Sequence, residues 1–151
     1  MPPQDRRQGT LVYGLDPLVV DASQQLDYLH SYDQDSEFFL GLAAGRLMGS
    51  ACPVCGYRHA TPRAHCLSCG ARTRWYQLPS RGTVHSWTVY HGPDGPVQMV
   101  LVEFEDAEGL LLARYQGDTP DIGMTVEVRF LRVSRFCVTD MYFVPVSPAP
   151  E

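Results

Sequence analysis

The stretch CPVCGYRHATPRAHCLSCG, residues 52–70, decides how the chain is read. Cys52 with Cys55 and Cys66 with Cys69 form two C-x-x-C-G knuckles, with ten residues between them. A two-residue gap lets a tight turn aim both thiolates at one ion. The glycine behind each pair allows the backbone twist that points N–H groups at sulfur. Two such turns complete a closed tetrahedral shell of four sulfurs, the usual arrangement of structural zinc. Iron is the chemical alternative, since a four-thiolate shell accepts either metal. With every position filled by protein, no site remains for water, and the ion is expected to be structural. Residues 50–81 hold few large apolar side chains, so metal binding must supply much of their folding free energy. His59 and His65 lie between the knuckles and could replace a ligand, but four cysteines already suffice, so the two are expected to be solvated or to sit behind the ligands. The fifth cysteine, Cys137, stands in a Phe-Cys-Val context in the last expected strand and reads as a buried core thiol, not a nucleophile.

Downstream of the knuckles, residues 82–146 read as five short strands: 82–90, 97–105, 109–115, 124–133 and 137–146. The separators carry turn chemistry, HGPDGP at 91–96 and QGDTPDIG at 116–123 among them. Alternation is cleanest in the fourth, where Met124, Val126, Val128 and Phe130 share one face against Thr125, Glu127 and Arg129. Five strands in so short a span are too few for a two-sheet sandwich. They suit a small closed barrel of the OB-fold kind, which also removes exposed sheet edges.

Upstream, Phe38, Phe39, Leu42, Ala43 and Leu47 recur at helical steps after Asp35 or Ser36, and Gly49 is placed to end that helix. Leu26, Leu29 and Tyr32 could line a shorter helix within 21–34. The fold class expected is therefore mainly β with N-terminal helices, a rubredoxin-like zinc ribbon preceding a five-stranded OB-fold barrel. The domain bounds are an arm at 1–34, a helix at 35–49, the ribbon at 50–81, the barrel at 82–146 and a tail at 147–151.

Composition agrees with this. Of 151 residues, 44% are hydrophobic and 19% charged, enough apolar content for a core. No apolar run approaches the roughly 18 residues of a spanning helix, and the mean hydropathy is −0.17. The N-terminus lacks the apolar stretch of a signal peptide, so a cytoplasmic location is expected, where disulfides are rare. Lysine and asparagine are absent, so all 12 basic residues are arginine and asparagine-linked glycosylation is excluded.

The net charge of −5 hides an asymmetry: −5 over residues 1–40, +6 over 41–81, where six arginines face no acid, and −6 over 82–151. A basic middle between acidic ends suggests an anion-facing segment or an arginine contact with a partner. Arg58, Arg63, Arg72 and Arg74 lie on or beside the ribbon and are the candidates for pairing with phosphate groups or with a partner. Trp75 and Trp87 read as packing residues first and as ligand-facing or interface rings second.

The order of motifs is itself informative: GLAAGRLMGSACPVCG, then ATPRAHCLSCG, Trp75, SRGTVHSWTVYH, MVLVEFE, GLLLARYQG, IGMTVEVRF and FVP. Over residues 33–146 it resembles the family of zinc-ribbon plus OB-fold accessory proteins, an acyl-CoA-associated domain of unknown function, that partner thiolases and thiolase-like aldolases. The resemblance implies a non-catalytic subunit, inactive alone but required by a thiolase-type acyl-CoA enzyme (acyltransferase or C–C lyase) of lipid or aromatic degradation. It implies a hetero-oligomer whose catalytic cysteine and histidines sit on the partner. The helices and ribbon would contact that partner, and the barrel would help to hold the coenzyme A thioester. A free-standing chain without a fused hydratase-like domain is expected, and this and the long acidic arm depart from the family.

Two other function classes compete. Zinc ribbons and OB-folds both serve single-stranded nucleic acids, but the acidic barrel section opposes that partner. A free-standing enzyme would have to use His85, His91 or Asp94, which are scattered over one strand and turn. Neither nucleic acid nor membrane is expected as a partner.

Overall fold

A computed structural model describes residues 19–147, together with the backbone of residues 10–13. The chain divides into two units, Met1–Ser31 and Tyr32–Glu151. In the first, β1 (Thr10–Tyr13) pairs antiparallel with β2 (Val19–Asp21). Residues 1–9 and 14–18 of the expected arm at 1–34, and residues 148–151 of the expected tail, lie outside the described residues. The short helix expected within 21–34 does not form; a 3-10 turn at Asp33–Asp35 is the only helical piece there. Leu26, Tyr28 and Leu29 are exposed. So short a helix with nothing to bury its apolar residues is unstable in water.

In the second unit, α1 (Ser36–Ala43) buries Phe38, Gly41 and Leu42. It is shorter than the expected 35–49, because Gly45 at φ +70° ends it. The Arg46 N–H donates to Gly41 O at 2.8 Å and the Gly45 N–H to Leu42 O at 3.1 Å, the paired bonds of a Schellman cap. Leu47 is buried outside the helix. Gly49 does not stop a helix; it lies inside β3 (Met48–Ala51), where a side-chain carbon would meet His59 O at 2.7 Å.

β3 is the middle of the ribbon sheet, flanked by β4 (Arg58–His59) and β5 (Arg74–Gln77). Five longer strands follow: β6 (Arg81–Gly92), β7 (Gly95–Phe104), β8 (Ala107–Tyr115), β9 (Thr125–Phe130) and β10 (Met141–Pro145). β6 pairs with β7, β7 with β8, β8 in parallel with β10, β10 with β9, and β9 back with β6. The ring closes, so the barrel is the five-stranded OB-fold. Its interior is Val84, Val100, Val102, Phe104, Leu111, Val126, Val128, Met141 and Phe143, each with at most 5% of its surface exposed. In β7, β8, β9 and β10 the buried positions fall on every second residue, as the pleat requires. Among the described residues no helix is long and apolar enough to cross a membrane.

Two strand bounds move by more than two residues. β9 stops at Phe130, not 133, and β10 starts at Met141, not 137. Between them Val138–Asp140 forms a 3-10 turn. Ribbon and barrel are joined directly: His59 pairs in parallel with Glu108 of β8, and the Ala60 N–H donates to Glu108 O at 3.0 Å.

Among the described glycines, Gly82 has the least room for a side chain. A side-chain carbon there would contact Val102 and lie 2.6 Å from the Glu103 carbonyl oxygen, a backbone atom that cannot swing away. Gly82→Ala is therefore expected to cost about 1–3 kcal/mol, read as a lowered unfolding midpoint in urea.

Candidate metal centre and its surroundings

The two knuckles are built by the same bonds. Cys52 N–H donates to Tyr57 O at 2.8 Å and Gly56 N–H to Cys52 O at 3.0 Å; Cys66 N–H donates to Ala71 O at 2.8 Å and Gly70 N–H to Cys66 O at 2.9 Å. Gly56 and Gly70 take φ +77° and +76°, a conformation that costs other residues a Cβ clash. Each turn brings N–H groups to sulfur: Cys55 N–H points at Cys52 Sγ at 3.5 Å and Ser68 N–H at Cys66 Sγ at 3.4 Å.

The four Sγ atoms lie within 4.8 Å of one another. Cys52 faces Cys69 and Cys55 faces Cys66, each at 3.5 Å. The edge of a tetrahedron with Zn–S bonds of about 2.3 Å is about 3.8 Å, so the donor set fits one ion. Cys52 and Cys66 are buried, Cys55 and Cys69 exposed, and all four are free thiols. The Cys55 N–H at its sulfur is the largest influence lowering Cys52, which comes down to about 6. The Ala71 N–H works to lower Cys69, but the Cys52 thiol, burial and the other two thiols outweigh it and push Cys69 up to about 12. Four sulfurs so close cannot all ionise without a cation between them.

Neither interspersed histidine is placed as a ligand. His65 is exposed and its backbone bridges to Arg72. His59 is buried, with 3% of its surface exposed, and bonds to the Leu67 N–H and to Ser50. From the sequence it is expected, with His65, to be solvated or to sit behind the ligands; it sits behind the second knuckle. The available signal was a histidine between two knuckles that already supply four ligands.

The four candidate arginines separate. Arg63 and Arg72 line one recess of about 160 Å3 with Gln34, Thr73 and Trp75. Arg58 is committed elsewhere: its guanidinium reaches Asp106 at 3.4 Å and lies 5.3 Å from the centre of the Tyr76 ring. Burial, then the Asp106 charge, pushes the Tyr76 hydroxyl up to about 12. Arg74 is exposed on β5.

Beside the arginine recess, across the Pro62–Arg63 step, lies an apolar groove of about 280 Å3 between Phe38, Phe39, Pro62, Leu111, Leu112 and Val138. Leu112 also lines a smaller hollow with Trp87, Met99 and Leu101 on the outer wall of β6–β8. Leu112 is 49% exposed and Trp87 40%. His85, His91 and Asp94 stand exposed on β6 and its turn.

Cys137 is not the buried strand thiol expected. It is half-buried ahead of the 3-10 turn, with its sulfur 2.9 Å from Thr139 Oγ1 and 3.4 Å from Asp140 Oδ1. The loop is organised instead by Asp140, whose side chain is fully enclosed and accepts from Ser134 Oγ at 2.7 Å and from the Arg135 N–H at 2.9 Å.

A ribbon carrying four clustered cysteines, bonded to a closed five-strand OB barrel, is the class of protein that this fold and site define. Residues 75–131 match the family model of the ChsH2 C-terminal OB-fold domain. Among solved structures, a protein of unknown function from the DUF35 family of Sulfolobus solfataricus is similar at 23% identity and a TM-score of 0.60, covering 79% of this chain and 90% of that one. A chain of the Ltp2–ChsH2(DUF35) aldolase is similar at 24% identity and a TM-score of 0.63, covering 79% of this chain and 98% of that one. Comparison with curated proteins gives no match. At the level of fold, these likenesses uphold the resemblance read from the sequence.

Proposed function

We propose that this chain is a non-catalytic accessory subunit of an acyl-CoA thiolase or thiolase-like aldolase, with Cys52, Cys55, Cys66 and Cys69 holding one structural zinc ion. The observation that carries the reading is the apolar strip in which exposed Leu112 and Trp87 join half-buried Phe39 and Leu101. β8 reads Leu110-Leu111-Leu112-Ala113, apolar toward both faces, and strands apolar on both faces belong between two layers. The barrel supplies one layer; the strip requires another, and a partner subunit supplies it. The likeness to a chain of an aldolase assembly supports the identity of that partner. The outer face of β7–β8 is where OB-folds take single strands; leucine and methionine there suit a protein or an acyl group better than nucleic acid.

In this reading zinc supplies a fixed corner and no Lewis-acid site, because four protein sulfurs fill its shell. Arg63 and Arg72 are the side chains placed for a coenzyme A phosphate or for a carboxylate on the partner. Native mass spectrometry of the chain isolated from its own cells tests the reading: a zinc-bearing assembly with a thiolase-like subunit is expected. A zinc-loaded monomer at high concentration would remove it. Leu112→Glu, at an exposed position, is expected to leave the melting temperature within about 2 °C while weakening the assembly at least tenfold.

A further inference from the structure

His59 is enclosed between β3 and the second knuckle and ligates nothing. Leu67, between Cys66 and Cys69, donates its N–H to His59 Nε2 at 3.3 Å, so the ring carries its proton on Nδ1. Nδ1 faces Ser50 Oγ at 3.4 Å, and the same oxygen accepts the Arg63 N–H at 2.9 Å. The Arg63 carbonyl in turn accepts the Thr73 hydroxyl, and Thr73 N–H donates to Ala64 O at 3.0 Å. One unbroken run of hydrogen bonds thus leads from the second knuckle to the turn that carries Arg63, beside Arg72 and Trp75.

We propose that His59 is a positioning residue that couples the metal centre to the arginine recess. The ion fixes the second knuckle, the Leu67 N–H fixes the imidazole, and the imidazole with Ser50 fixes the Arg63 turn. The proposal rests on the metal-binding reading above and adds to it a direction of influence. Loss of the ion loosens the recess at Arg63 and Trp75, and loss of the imidazole weakens the ion.

The test uses the full chain and zinc in competition with a chromogenic chelator, comparing wild type, His59→Phe and His59→Gln. Phenylalanine keeps an aromatic ring and loses the acceptor; glutamine can offer a carbonyl oxygen to the Leu67 N–H and an amide to Ser50. His59→Phe is expected to weaken zinc about tenfold, the order lost when a partly buried donor goes unpaired. His59→Gln is expected to bind at least threefold more tightly than His59→Phe. In a Trp87→Phe background, where Trp75 is the remaining tryptophan, emission should shift fully on zinc removal as the ribbon unfolds, and His59→Phe should show part of that shift with zinc still bound. Ser50→Ala serves if His59→Phe does not fold: it keeps the imidazole, so zinc affinity stays near wild type while Trp75 emission moves. Equal losses in the two His59 variants, or unmoved Trp75 emission in Ser50→Ala, overturn the coupling alone. A wild-type chain that takes up no zinc overturns the metal reading and the coupling with it.

Discussion

Cys66→Ser, or removal of the proposed ion by a chelator, is expected to unfold the ribbon while the barrel keeps its strands. Between Cys52 and Thr73 the buried residues are Cys52, His59, Ala60 and Cys66, too little apolar surface to hold a fold. A structural zinc site contributes on the order of 10–16 kcal/mol in small peptides, comparable to the whole net stability of a domain. Without that contribution, the entropy of ordering two knuckles has nothing to oppose it. Serine is a poor replacement because its hydroxyl does not ionise near neutrality and leaves a gap at a site with 4% exposure. Hydrogen exchange mapped by residue checks the result. Amides of 49–77 should lose protection on chelation, whereas those of Val100, Val102 and Val126 should retain it. Protection persisting in the ribbon after complete metal removal would contradict the assignment.

Asp140→Ala is expected to cost about 3 kcal/mol, reflecting unpaired donors around a cavity where a hydrogen-bonded charge had been. The carboxylate holds the Ser134 hydroxyl and the Arg135 N–H, while the Asp140 backbone carbonyl accepts the Leu131 N–H at 2.8 Å. Burial on its own would raise the Asp140 carboxyl, but the Ser134, Arg135 and Cys137 donors together hold it below the ordinary carboxylate value. The sign follows. A group held lower in the folded than in the unfolded state stabilises fully above the unfolded value of about 3.9, and that contribution fades as pH falls through the folded value. Wild type should therefore lose stability over the acid range below pH ~4 more steeply than Asp140→Asn, which cannot titrate there. Urea midpoints measured from pH 7 downward give the comparison; parallel curves for the two proteins would refute the role of this carboxylate.

The elements legible in the sequence are those whose signal is local. Two glycines behind two cysteine pairs specify their own turns, and Val126 and Val128 announce their buried face by alternation alone. The misplacements have a common physical origin. Leu47 extends the apolar pattern of α1, yet Gly45 ends the helix first and Leu47 is buried by another route; periodicity does not distinguish the two. Cys137 and Thr139 continue the alternation of Met141 and Phe143, which made β10 start early. What interrupts the strand is a buried Asp140, a residue whose position depends on donors from Ser134 and Arg135 and not on any local pattern. The bonds of His59 are hidden for the same reason, because its partners Ser50, Leu67 and the β8 strand come together only in the folded chain. The recess of Arg63 and Arg72 was half legible: the cluster of arginines showed in the charge count, but not that Arg58 would be taken by Asp106.

The joint between ribbon and barrel also has a consequence in time. The Arg58 N–H and its acceptor on Glu108 are 50 residues apart. At a synthesis rate of about 5–20 residues per second, the ribbon leaves the ribosome roughly 2–10 s before its supporting strand exists. During those seconds the four thiols have only each other and whatever free metal the cell supplies. Metal capture by the nascent chain would then precede β-barrel closure, so starving cells of zinc during translation should do damage that restoring zinc afterwards only partly repairs.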